Sequence, residues 1–114
     1  IFKRKQKKSG RPWDMGKGFD KSAPCTALRP VSDVGHPATG AIWIKVNGEM
    51  KQKSSLDLHI WNVQETISYL SRLVELQPGD LIYMGTPEGV GPVQAGETME
   101  GHIDGVGDLR IKVS

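Results

Sequence analysis

The sequence predicts a β-rich α+β domain with one main helix, and three observations predict it. Ile42, Ile44 and Val46 alternate with Trp43 and Lys45 and run straight into Asn47-Gly48, a strong hairpin signal. Residues 98–104 and 108–113 alternate in the same way around a Gly105-Val106-Gly107 turn. Between these pairs, only the stretch from about 63 to 75 has apolar residues at helical spacing. At 114 residues, the chain has room for one domain with a single core.

Hydrophobic residues make up 37% and charged ones 25%, as expected of a soluble globular protein. No apolar run approaches the ~20 residues that span a bilayer, so no membrane partner is expected. The lone Cys25 excludes an internal disulfide and fits a reducing, cytoplasmic compartment. The chain opens on Ile1, which leads us to expect a fragment, a processed product or a divergent short protein. Six of the fifteen basic residues, Lys3, Arg4, Lys5, Lys7, Lys8 and Arg11, lie in residues 1–11 with no acidic residue among them. That leaves nine basic against thirteen acidic side chains in the rest. A basic arm can hold nucleic acid or an anionic surface. No aromatic residues interleave these charges and no nucleic-acid motif follows, so a solvated helix end or frayed terminus is expected and a nucleic-acid partner is not.

In order, residues 2–8 can end an upstream helix, stopped by Ser9-Gly10 and Pro12. Lys17 stands between Gly16 and Gly18, whose open backbone would let its ammonium be fixed in a partly enclosed place; an exposed surface lysine is the default. Residues 22–37 read as loop, with prolines at 24, 30 and 37. Within them, Cys25 has no metal-spaced partner and is expected as a buried structural thiol, and His36 as a surface turn residue. Residues 49–53, with two lysines, are expected to return from the hairpin as an edge strand. His59 is expected to support the junction before the helix, since no catalytic partner is visible. Asn62 and Glu65 offer a capping box. Val63, Ile67, Leu70 and Val74 then form an apolar stripe of about three turns expected to pack on the sheet.

Residues 79–92, Gly-Asp-Leu-Ile-Tyr-Met-Gly-Thr-Pro-Glu-Gly-Val-Gly-Pro, read as a turn, a buried strand over 81–84 and a rigid loop. Thr86 puts a hydroxyl at the strand's end. Glycines at 85, 89 and 91 leave room for close approach, while Pro87 and Pro92 limit motion. From spacing alone, a binding loop and a plain connection both remain open. A phosphate loop is excluded, because no Gly-Lys-Ser/Thr ending occurs.

Six blocks in order resemble the fumarylacetoacetate hydrolase family, in its small acylpyruvate and fumarylpyruvate hydrolase branch. They are Gly-Arg-Pro-Trp at 10–13, Gly-Lys-Gly-Phe-Asp at 16–20, Ser-Ala-Pro-Cys at 22–25, Lys-Val-Asn-Gly-Glu at 45–49, Ile-Trp-Asn-Val at 60–63 and the long block at 77–93. The resemblance implies a mixed β-roll of the fumarylacetoacetase C-terminal-domain type over 12–114, forming the C-terminal part of a single catalytic domain. It also implies a homodimer and a Mg2+- or Mn2+-dependent enzyme that cleaves a C–C bond in a 1,3-dicarbonyl acid through a pyruvate enolate. Lys17 matches the family's lysine near the metal and substrate oxygens. Thr86, with Gly85 beside it, matches the threonine that hydrogen-bonds the keto-acid substrate.

The family's metal ligands, a Glu-x-Glu pair and an aspartate, precede the aligned region, and the acid-base His and Glu lie earlier still. No metal ligand is therefore assigned here, and Asp14, Asp20 and Glu88 match no ligand position. The opening also departs from the family pattern. Ile1 and Lys3 stand where an acidic residue and a substrate-binding glutamine are expected. The resemblance leaves open an oxaloacetate decarboxylase or tautomerase. A non-catalytic fragment or binding module with an anion-binding arm is the alternative from another class.

Overall fold

The computed structural model describes residues 17–114, and in it the two alternating stretches join into one sheet. Strands β1 (Ala41–Val46), β2 (Glu49–Ser55), β3 (Thr98–Ile103) and β4 (Gly107–Lys112) are ordered β2-β1-β3-β4, with every neighbouring pair antiparallel. Among the described residues, helices α1 (Val31–Val34) and α2 (Val63–Leu70) and a 3-10 turn at Leu56–Leu58 accompany the sheet. The β-rich α+β class is as expected. The basic segment 1–11, Gly-Arg-Pro-Trp at 10–13 and Asp14 lie outside the described residues.

Local chemistry explains the hairpin. Asn47 and Gly48 both have positive φ, 50° and 81°, as a type I′ turn requires. Asn47 also ties in the next strand, its Oδ1 accepting from the Thr98 amide at 2.9 Å. β1 lies between β2 and β3 and carries the buried hydrophobic of the described residues, Val46, at 8% exposure. As expected, β2 is an edge strand. Its pairing slips once. Ile44 faces Gln52 while Lys45 faces Met50, so Lys51 has no partner across the ladder, which is a β-bulge.

The capping box forms as the sequence indicates: Asn62 Oδ1 accepts from the Glu65 amide at 2.8 Å, and Glu65 Oε2 accepts from the Asn62 amide at 2.9 Å. Regular helix ends at Leu70, and the amides of Leu73 and Val74, both donating to the Leu70 carbonyl, carry single turns onward. The regular helix is thus shorter than three turns. Its stripe is not covered by the sheet, contrary to expectation: Val63 and Ile67 are 50% and 43% exposed.

Three other expectations are corrected. Residues 81–84 form no strand and are not buried, with Tyr83 70% exposed, because among the described residues no neighbour supplies the ladder their backbone would need. Residues 22–37 contain α1, which Pro30 precedes with a fixed φ of −67° that suits entry to a helix. Cys25 is exposed, its Sγ donating to the Ala23 carbonyl, since the loop carrying it is open to solvent. His36 is exposed, as expected. Large apolar side chains such as Ile60, at 95%, and Leu58, at 71%, also lie open.

Candidate substrate-binding site

Several of these exposed side chains line a hollow of about 640 Å³ between β2, the 3-10 turn, the start of α2 and residues 83–87. That volume suits a small organic ligand. Ile42, Leu58, Trp61 and Met84 give it apolar walls. Ser54, His59, Gly85 and Thr86 bring polar groups and open backbone to the same space. The structure therefore brings Gly85 and Thr86 together with a serine and a histidine. Lys17 does not line this hollow; it is exposed, with helical backbone.

The loop bearing Thr86 is held on the bulged edge of β2. Gln52 Nε2 reaches Thr86 Oγ1 at 2.9 Å, the Pro87 carbonyl at 2.6 Å and the Glu88 carbonyl at 3.2 Å. One amide nitrogen thus gathers three successive acceptors. Next to it, the backbone of Gly89 runs against the unpaired bulge residue. A Cβ built at Gly89 would collide with the Lys51 carbonyl oxygen. Gly89 is thus glycine for the sake of this close approach to its own sheet, a correction to reading it as room for a ligand. At Gly85, with φ 95°, a Cβ would meet nothing within 4 Å, so space does remain there.

Gln52 shows in the sequence only as the uncharged residue between two edge-strand lysines, a weak signal for this role. His59 meets its expected task, with Nδ1 2.9 Å from the Leu56 carbonyl. A carbonyl can only accept, so Nδ1 is the donor in this contact. Its place on the hollow was not anticipated. Among the described residues no group of three or more His, Cys, Asp or Glu side chains could hold a metal ion, so they do not by themselves fit a metal centre. No helix among them is long and apolar enough to cross a membrane.

A second hollow of about 600 Å³ lies beside β1, β3 and the β3–β4 turn, with residues 25–29 along it. His102 stacks on Trp43 at 5.1 Å between ring centres. It bonds Asp108 through Nδ1 at 2.5 Å and Asp104 through Nε2 at 2.8 Å, and Asp104 Oδ2 accepts from the Ala41 amide at 2.7 Å. The bond to Asp108, then that to Asp104, holds His102 above its ordinary 6.5. The Ala41 amide, then His102, holds Asp104 below 3.8. A raised histidine stabilises the fold fully below 6.5, and this is lost as pH rises through its folded value. A lowered aspartate stabilises fully above 3.8, and this is lost as pH falls through its folded value. In an NMR titration His102 is expected to titrate above 6.5, and nearer that value in Asp108→Asn. A midpoint at or below 6.5 in the unsubstituted protein would contradict this network.

Against known proteins, residues 1–114 match the family described as fumarylacetoacetate (FAA) hydrolase C-terminal. The chain is 47% identical over 104 residues to a fumarylpyruvate hydrolase of Ralstonia sp, covering 91% of this chain and 54% of that one. It is 41% identical over 107 residues to the mitochondrial oxaloacetate tautomerase FAHD1 of Mus musculus, covering 94% and 48%. Its fold matches the crystal structure of fumarylpyruvate hydrolase from Pseudomonas aeruginosa in complex with Mn2+ and pyruvate, with a TM-score of 0.90 and 54% identity. That match covers 98% of this chain and 48% of the other. The chain spans about half the length of these relatives. The matched model extends over the whole chain and the fold agrees with it, so the chain belongs to the fumarylacetoacetate hydrolase family, in its C-terminal part.

Proposed function

We propose that, in the intact protein, this chain forms the substrate side of an enzyme that hydrolyses a C–C bond in a 1,3-dicarbonyl acid, with fumarylpyruvate as the first candidate. The observation that carries this reading is the hollow rimmed by Gly85 and Thr86, in a chain similar to a protein crystallised with pyruvate. In such a reaction the oxygen of water adds to the far carbonyl carbon. The C–C bond breaks with its electron pair leaving as a pyruvate enolate, which then takes up a proton. Stabilising the enolate oxygen is the central physical demand. Thr86 would donate its hydroxyl proton to a substrate oxygen. The Lys17 ammonium would sit against the developing negative charge.

A divalent cation, Mg2+ or Mn2+, belongs to the proposal because the Pseudomonas aeruginosa relative was crystallised with Mn2+. The described residues do not by themselves fit one. A homodimer and a cytoplasmic location are part of the same proposal. A second reading, oxaloacetate tautomerisation, is supported by the Mus musculus relative and makes the same demand for enolate stabilisation.

The intact protein with Mg2+ or Mn2+ should consume fumarylpyruvate, seen as loss of its enol absorbance, and release fumarate and pyruvate in equal amounts. Interconversion of oxaloacetate enol and keto forms without cleavage of fumarylpyruvate would favour the second reading. No change in either substrate would overturn both.

A further inference from the structure

We infer that Gln52 is a positioning residue that fixes the direction of the Thr86 hydrogen bond, so that Thr86 acts as a donor and selects an acceptor oxygen on its ligand. This rests on the proposal that Thr86 binds the substrate and deepens it. The Pro87 and Glu88 carbonyls can only accept, so the end of the Gln52 amide facing them is its nitrogen. The same nitrogen lies 2.9 Å from Thr86 Oγ1, which therefore accepts.

A threonine hydroxyl has one proton and two lone pairs. With one lone pair committed to Gln52, the proton must point elsewhere, and none of the described residues accepts it. Thr86 lines the hollow, so its proton is available to an incoming ligand. A carboxylate, ketone or enolate oxygen can accept it; a ligand group that can only donate cannot use it. The bulge at Lys51 and the close approach of Gly89 lock loop and strand together, which keeps Gln52 in register with Thr86.

The two roles open to Gln52, anchoring the loop and orienting the Thr86 proton, separate in a set of variants. Gln52→Met removes the donor but leaves the Thr86 hydroxyl free to turn toward a ligand. Gln52→Glu puts an acceptor beside Thr86 and captures its proton. Both lose the anchor to the two carbonyls. Pyruvate binding to the intact protein with Mg2+, measured by calorimetry, should be about tenfold weaker in Gln52→Glu than in Gln52→Met, the size of one hydrogen bond to a charged group. In a Thr86→Val background this difference should vanish. Repulsion between the introduced carboxylate and anionic pyruvate would persist there, so it is controlled for.

Equal affinities for the two Gln52 variants, or a difference that survives Thr86→Val, would overturn the inference while leaving Thr86 as a ligand group. If Thr86→Val alone leaves pyruvate binding unchanged, the assignment of Thr86 to the substrate fails, and the inference with it. A measurement on the unsubstituted protein covers the case in which the Gln52 variants do not fold. The Gln52 side-chain amide protons should shift downfield on adding pyruvate and Mg2+, because a donating Thr86 becomes a better acceptor. No shift would overturn the inference.

Discussion

Replacing Lys17 by alanine in the intact protein is expected to lower turnover of fumarylpyruvate about 100-fold or more, the loss seen when one preorganised oxyanion donor is removed. The expectation comes from charge. An enolate oxygen gains nearly a full negative charge as the C–C bond breaks, and a positioned ammonium stabilises that charge more than it stabilises the neutral carbonyl that precedes it. The loss should therefore fall on kcat more than on KM. Lys17→Arg should not restore the rate, since a planar guanidinium cannot stand in for a compact ammonium. Stopped-flow measurement of kcat and KM checks this. Near-normal kcat in Lys17→Ala would remove Lys17 from the reaction. Lys17 is exposed and is not among the residues lining the Thr86 hollow, so its proposed role rests on the family resemblance.

Gly89→Ala is expected to have the second largest effect, and on stability first. Gly89 has φ 95°, and its Cβ would meet the Lys51 carbonyl, a backbone atom that cannot swing aside. A strained φ alone costs about 1–3 kcal/mol. The collision adds to that unless the loop lifts off β2, which would break the three bonds from Gln52. Gly79→Ala is the internal control. Its φ is 97°, but a Cβ there meets nothing within 4 Å, so it should show the backbone cost alone. Denaturant unfolding of the intact protein should place Gly89→Ala well below Gly79→Ala, and pyruvate binding should weaken only in the former. Equal losses of stability would contradict the close approach of Gly89 and Lys51.

The legible parts of the fold were those set by neighbours in sequence. Asn47-Gly48 specifies its own turn through two positive φ values, and Asn62 with Glu65 caps its own helix, so both could be read directly. Residues 81–84 could not. An apolar run of strand length becomes a strand only where another strand pairs with it, and sequence does not say whether that partner is present. The same reason hid the uncovered stripe of α2. Thr86 was legible as a hydroxyl in a glycine- and proline-rich loop, but the hand that holds it was not, because Gln52 is 34 residues away in sequence. A one-residue bulge at Lys51 is equally silent in the alternation of a lysine-rich edge strand. His59 lacked a visible partner for a related reason: the hollow it shares with Thr86 is made by tertiary placement.

Stabilisation of a pyruvate enolate by groups of this chain can be measured with pyruvate alone. By microscopic reversibility, an enzyme that releases pyruvate through its enolate also forms that enolate from pyruvate and exchanges its C3 protons with solvent. Proton NMR of pyruvate in D2O, with the intact protein and Mg2+, should show C3–H exchange well above the rate without protein and strongly reduced in Lys17→Ala. Exchange no faster than without protein would contradict enolate stabilisation by this site.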